Sequence, residues 1–170
     1  MDFFDVVSSR YSYRGEFLDR TIPDDHVRKI LTAGIQAPSG YNLQTTSFIV
    51  VTDPAIRAAI AAVMPTPATR TAPLMIVPIS QNEEKDGLSF EIEDYGISSE
   101  NLLLAITALG YASVLMDGYV KLGAGKAIAE ILGVPADYTV RAVLPVGVPK
   151  DPGAQAPRKP FEERVHFDKF

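Results

Sequence analysis

Apolar and polar residues follow two periods along this chain, one typical of helices and one typical of strands. Helical spacing is clearest over 92–109, which is apolar on most faces, as in a helix buried from several sides. Thr21 and Pro23 are typical of the start of one helix, and Asp53 is placed to begin another. Gly133 is placed to end a third helix. The predicted helices cover residues 2–9, about 21–37, 55–63, 92–109 and 121–132.

Strand-like patterns fall between these helices. Residues 74–79 form a continuous apolar run, which indicates a buried strand. Pro65 and Pro67 are expected to break the chain after the third helix, and the polar residues 81–88 to form an exposed loop. The predicted strands are 47–51, 74–79 and 138–146, and residues 112–116 are predicted to form a short strand or an extended turn. Helices and strands alternate, but the long helices carry more apolar surface than one small sheet covers, so we expect two subunits to associate.

Length and composition narrow the class of protein. The 170 residues, with no internal repeat or linker, predict one globular domain over 1–170. A net charge of −5 argues against a nucleic-acid or anionic-membrane surface. No apolar run approaches a membrane span and no signal peptide pattern is present, so we expect a cytoplasmic protein. Without cysteine there is no disulfide or thiolate, and with no cluster of carboxylates at ligand spacing no metal site is predicted.

The first candidate for chemistry is Arg10-Tyr11-Ser12-Tyr13-Arg14. In extended backbone its two arginines and its serine point to the same side. Guanidinium groups offer bidentate, charge-assisted hydrogen bonds, so the segment suits a dianionic phosphate.

The second candidate is the turn Ala37-Pro38-Ser39-Gly40-Tyr41-Asn42-Leu43-Gln44, which leads into the first predicted strand. Asn42 and Gln44 each carry a donor and an acceptor, which suits the polar edge of a heteroaromatic ring. Two amides entering a strand are expected to need buried partners.

Both segments resemble those of the nitroreductase family of flavin enzymes. Three further segments match the family in order: Asp94-Tyr95-Gly96 at the start of the longest helix, Asp117-Gly118-Tyr119, and Pro157-Arg158-Lys159-Pro160. The resemblance covers essentially the whole chain. It implies an α+β fold with a mixed sheet flanked by helices, in an intertwined homodimer with exchanged C-terminal strands and two FMN molecules at the interface.

The resemblance also implies roles for particular residues. Arg10 and Ser12 would hold the phosphate or ribityl chain, and Arg14 would lie near the N1–O2 edge of the ring. The turn would reach the flavin of the neighbouring subunit, and the Asp117–Gly118 backbone would donate to flavin N5. The implied cofactor-binding residues are Arg10, Ser12, Arg14, Pro38, Ser39, Gly40, Asn42, Gln44, Asp117, Gly118, Arg158 and Lys159.

The chain departs from the family pattern at three places. Tyr11 stands where a second basic residue is frequent, and Gln44 is followed by two threonines instead of Pro-Trp. Residues 64–70 contain only Arg70 as a basic residue, where larger members have an Asn and a Lys that touch the ring. Tyr11 predicts a weaker phosphate site, and the missing Trp bears on local packing and not on the amide contacts. The difference at 64–70 predicts fewer ring contacts, and hence a different reduction potential or substrate.

The expected function is that of an FMN-dependent oxidoreductase. NAD(P)H would donate a hydride to the flavin and leave, and a nitroaromatic, quinone or similar electron-poor acceptor would then bind at the same face in a ping-pong exchange. The cofactor carries this chemistry, so no side chain is assigned a catalytic role. Two alternatives stay open: a flavin-storing protein with little turnover, and a family member with another reaction, such as dehalogenation or flavin fragmentation.

Overall fold

The computed structural model describes residues 1–170 and has the predicted α+β architecture. The helices are α1 (Phe3–Ser9), α2 (Asp24–Ile35), α3 (Pro54–Val63), α4 (Pro67–Thr71), α5 (Glu91–Ala108) and α6 (Gly125–Leu132). The strands are β1 (Thr46–Val51), β2 (Leu74–Gln81), β3 (Ala112–Ser113), β4 (Tyr138–Val140) and β5 (Leu144–Gly147).

The five strands form one sheet with β2 at its centre. The strand order is β1-β2-β5-β3, and β4 also pairs with β2. All four strand pairs are antiparallel, while a parallel bridge joins Ser12 to Ser113 at the β3 edge. The sheet is therefore mixed only at that edge, where the Arg10–Arg14 segment lies.

Helices cover both faces of the sheet because the side chains of β2 alternate between them. Leu74 and Ile76 pack in one buried cluster with Ile30 of α2 and Leu102 of α5. Met75, Val77 and Ile79 pack in a second cluster on the opposite face, with Ile60 of α3 and Ile128 of α6. No helix of the structure is both long enough and apolar enough to cross a membrane.

The predicted strand 138–146 is divided into β4 and β5, because it contains a β-bulge. From Ile76 to Ile79 there are three steps along β2, but their partners Leu144 and Val140 lie four steps apart. The extra residue lies opposite Pro78, whose carbonyl accepts from the Arg141 N–H at 2.9 Å. In a strand, the N–H and the C=O of one residue point to the same neighbouring strand. Pro78 has no N–H, so it accepts one hydrogen bond from this neighbour but cannot donate the second hydrogen bond of a regular pair.

Three helix boundaries also differ from prediction. Thr21 does not cap α2, which begins after Pro23 without a side-chain cap. The region of Pro65 and Pro67 includes the short helix α4, where Thr66 and Thr69 form a capping box. The helix predicted over 121–132 is split by Gly123, with φ 116°, into a π turn and α6. Gly133 ends α6 in the left-handed conformation, as predicted.

Residues after Gln155 lie outside the packed body. Residues 156–170 are exposed throughout, and their hydrogen bonds outside regular elements join them only to one another. Phe161, Phe167 and Phe170 are among the exposed aromatic side chains. The tail in one chain is thus not covered by its own body, and its exchange between subunits stays a prediction.

Candidate functional site

The Arg10–Arg14 segment is held by main-chain hydrogen bonds. It leaves the end of α1, where the Arg10 N–H donates to the Val6 carbonyl at 3.0 Å, and it reaches β3, where the Tyr13 N–H donates to the Ser113 carbonyl at 2.9 Å. Tyr13 is buried, whereas Ser12 and Arg14 are exposed. The alternation predicted from the sequence therefore places the hydroxyl and one guanidinium on the open side.

The Arg10 side chain is less available than that of Arg14 for binding an external group. Its Nε lies 3.2 Å from Oε1 of Glu100 on α5, and its side chain is only 14% exposed, against 52% for that of Glu100. The Gln155 amide donates to the Arg10 carbonyl at 2.9 Å, which docks the start of the tail beside the segment. Sequence reasoning missed Glu100, because 90 residues separate it from Arg10 and nothing local pairs them.

Ser12 and Arg14 make no hydrogen bond or ion pair within the chain. Beside Ser12, the Ser113 hydroxyl is buried and also has no hydrogen-bond partner. A buried hydroxyl without a partner is unfavourable, and an anion oxygen at this point would satisfy it. The residues present therefore fit a phosphate group.

The second segment is a turn of unusual backbone conformation. Tyr41, Asn42 and Gln44 all have positive φ, at 50°, 57° and 54°. Only glycine adopts this region without cost, although asparagine tolerates it better than most residues. Three such residues within four positions need external support.

That support comes from Asp94 at the start of α5. Its carboxylate is 3% exposed and accepts from the Gly40 N–H and from the Thr45 hydroxyl, each at 2.9 Å. The Ser39 hydroxyl adds a bond from the Gln44 N–H at 3.0 Å. Sequence reasoning noted Asp94 only as part of a motif and gave it no role. A negatively charged residue in a first helical turn was the available signal, but it is equally typical of ordinary helices.

Neither amide finds a buried partner within its own chain. Asn42 and Gln44 are both exposed, and the Gln44 amide makes only a long contact of 3.5 Å with the Asn42 carbonyl. Pro38 is exposed beside them, and Ser39 and Gly40 are half-buried. The turn thus displays its amides outward, away from its own chain.

The Asp117–Gly118 turn follows the bridge between Met116 and Val143. The Asp117 carboxylate lies 2.6 Å from the Lys121 ammonium one turn later, and this hydrogen bond lowers the pKa of Asp117. Gly118 is exposed at the start of the following helix. The carboxylate is therefore occupied by a lysine, which leaves backbone groups as the remaining polar feature of the turn.

The predicted tail residues do not join the other candidate groups within one chain. Arg158 and Lys159 are exposed in the tail. No hydrogen bond or ion pair joins them to the Arg10–Arg14 segment, to the turn or to Asp117 and Gly118. Within a single chain the tail therefore adds nothing to the other candidate groups.

Comparison with known proteins identifies the class. The model of the nitroreductase family matches residues 7–66 and 64–148, so the chain belongs to this family. A protein of Archaeoglobus fulgidus with the provisional name NADH dehydrogenase/NAD(P)H nitroreductase is 30% identical, with 97% of both chains covered. An NADPH-dependent oxidoreductase of Staphylococcus haemolyticus is also 30% identical, over 96% of this chain and 72% of its own.

A solved structure agrees in fold. An FMN-dependent nitroreductase of Clostridium difficile R20291 superposes with a TM-score of 0.85 at 28% identity, covering 98% of this chain and 99% of that one. The resemblance found in the sequence is thereby confirmed, together with the α+β fold class.

Proposed function

We propose that the protein is an FMN-dependent oxidoreductase that uses NAD(P)H to reduce nitroaromatics, quinones or similar electron-poor acceptors by ping-pong exchange. Membership of the nitroreductase family supports the oxidoreductase class and FMN as the cofactor. The observation that carries the proposal is the exposed pair Ser12 and Arg14, without partners and fixed by the main chain beside the buried Ser113 hydroxyl.

The residues of the first segment would hold the phosphate end and the ring edge. Ser12, with the free N–H groups of Arg10, would donate to the phosphate, and Arg14 would lie near the N1–O2 edge of the ring. Bound FMN would supply hydride acceptance and two-electron transfer. A cation near N1–O2 favours the negative charge of the reduced ring, so Arg14 raises the reduction potential.

The amides of the turn and the basic pair of the tail are exposed in one chain, so we include a second chain. We assign one domain, 1–170, to each subunit of a homodimer. The turn with Pro38, Ser39, Gly40, Asn42 and Gln44 would contact the ring bound by the neighbour. The Asp117–Gly118 backbone would face N5, and the exchanged tail would bring Arg158 and Lys159 to a phosphate.

The first test is the visible spectrum of the purified protein, followed by anaerobic addition of NADH or NADPH and then of an acceptor. Bleaching of the flavin on a catalytic timescale, reversed by a nitroaromatic or a quinone, is the expected result. A yellow protein that neither nicotinamide reduces would contradict the enzyme and support flavin storage. Light scattering tests the dimer, and a stable folded monomer near 18.4 kDa would overturn the two-subunit site.

A further inference from the structure

The β-bulge opposite Pro78 brings an arginine to a cavity outside the segments described so far. A bulge changes the direction of a side chain relative to the regular ladder. Arg141 follows β4 at this point and forms an ion pair with Glu91, with its Nη2 3.4 Å from Oε1. Its side chain is 16% exposed, and its buried Nε has no hydrogen-bond partner.

The cavity beside Arg141 has a volume of about 400 Å³ and a basic lining. Lys121, Lys126 and Arg141 line it, and no carboxylate does. Asp117 neutralises Lys121 and Glu91 neutralises Arg141 from outside the lining. Lys126 has no ion pair, so the cavity keeps one uncompensated positive charge.

The rest of the wall is apolar and aromatic. Ile92 and Tyr95 of α5 face the cavity together with Val140 of β4 and Ala129 of α6. Tyr95 is 7% exposed, and its hydroxyl makes no hydrogen bond within the chain. Apolar walls with a few convergent polar groups are typical of small-molecule sites. An aromatic ring that carries an anionic group matches these walls and charges.

The cavity also adjoins the proposed ring site. Lys121 lines the cavity and forms an ion pair with Asp117. Asp117 belongs to the Asp117–Gly118 backbone that is proposed to face flavin N5. We propose that this cavity binds the carboxylate end of an aromatic acid, with Lys126 and Arg141 as its recognition residues, and that such acids are favoured electron acceptors. The second part of this inference rests on the proposed function, whereas the binding part does not.

Isothermal titration with 4-nitrobenzoate and with its neutral analogue 4-nitrobenzamide tests the binding part. The titrations use the purified protein with and without FMN. We expect Lys126→Gln to weaken 4-nitrobenzoate binding about fivefold and to leave the amide unchanged, since it removes one partly exposed charge contact. Lys126→Arg should keep the preference for the acid, and Lys29→Gln on α2 is the matched surface control.

Arg141→Lys supplies a second variant that keeps the charge beside Glu91 and removes the unpartnered Nε. It should weaken the binding of 4-nitrobenzoate and leave the binding of 4-nitrobenzamide unchanged. A thermal midpoint close to that of the wild type checks that the variant is folded. Equal affinity for acid and amide, or an acid affinity unaffected by both Lys126→Gln and Arg141→Lys, would overturn the site.

Steady-state reduction tests the acceptor part. We expect 4-nitrobenzoate to have a higher kcat/KM than the amide, with the difference lost through KM in Lys126→Gln. If NAD(P)H bleaches the flavin but kcat/KM does not favour the acid, the acceptor part is wrong while the proposed function stands. If NAD(P)H does not bleach the flavin, the proposed function fails, and the titrations still decide whether the cavity binds the acid.

Discussion

The two segments that display the candidate polar residues are held in place by different means. The Arg10–Arg14 segment lies along β3 through main-chain bonds, in which the exposed side chains of Ser12 and Arg14 take no part. The 39–44 turn has three left-handed residues and depends on the buried carboxylate of Asp94. The exposed side chains of Ser12 and Arg14 can thus change without changing the path of the first segment, whereas the second segment depends on a side chain 54 positions away.

The largest expected effect comes from removing Asp94. Asp94→Ala leaves the Gly40 N–H and the Thr45 hydroxyl without partners, so the free energy of unfolding should fall by about 3 kcal/mol. FMN affinity should fall as well, because the turn no longer presents Asn42 and Gln44. Urea unfolding and flavin titration measure the two effects.

Asp94→Asn and Thr45→Val are the matched controls for this prediction. The asparagine keeps an acceptor for the Gly40 N–H, and the valine removes only one of the two bonds, so each should cost about 1–2 kcal/mol. If Asp94→Ala unfolds with the wild-type free energy, the turn keeps its conformation without the Asp94 carboxylate. The contrast between the two segments would then be wrong.

A steric change at the turn should have the next largest effect. A Cβ on Gly40 would lie 2.2 Å from Cγ of Phe90, so Gly40→Ala should destabilise the protein by about 1–3 kcal/mol through forced repacking. Gly96→Ala on α5 is the control, since its Cβ meets nothing within 4 Å and alanine favours a helix. Thermal denaturation should give a lower midpoint for Gly40→Ala than for Gly96→Ala. Equal midpoints would show that Phe90 does not restrict the side chain at position 40.

The exposed side chains of the first segment should matter for the cofactor and not for folding. Arg14→Gln should leave the free energy of unfolding within about 0.5 kcal/mol of wild type. Loss of a charged hydrogen bond worth about 1.5–3 kcal/mol in the reduced state should lower the two-electron potential by roughly 30–60 mV. Spectroelectrochemical titration measures the potential. A large loss of FMN affinity with an unchanged potential would make Arg14 a phosphate ligand instead.

The smallest expected effect concerns the neighbour of Arg10. Glu100→Gln removes a competing charge from the guanidinium, so FMN affinity should rise by about two- to fivefold. Flavin titration at low and high salt measures this change, which should shrink as salt screens the pair. A fall in affinity would show that Glu100 orients Arg10 for the phosphate and does not compete with it.

Local patterns predicted most elements, and contacts between distant residues decided the rest. The apolar run 74–79 predicted β2, and Asp53 and Gly133 act at the helix ends where they were expected. The division of 138–146 was not predictable, because it depends on Pro78 in a neighbouring strand. The support of the turn by Asp94 was missed for the same reason. Partners for its two amides stay a prediction, because they would come from outside this chain.

The central position of β2 has a consequence for the order in which the chain folds during synthesis. β1 and β2 are close in sequence and can pair early, but the other edge of β2 is completed only by residues 138–147. Until these residues leave the ribosome, a strand of mostly apolar residues has an open edge, which is a template for aggregation. A nascent chain arrested before residue 138 should therefore require chaperone protection that the completed chain does not.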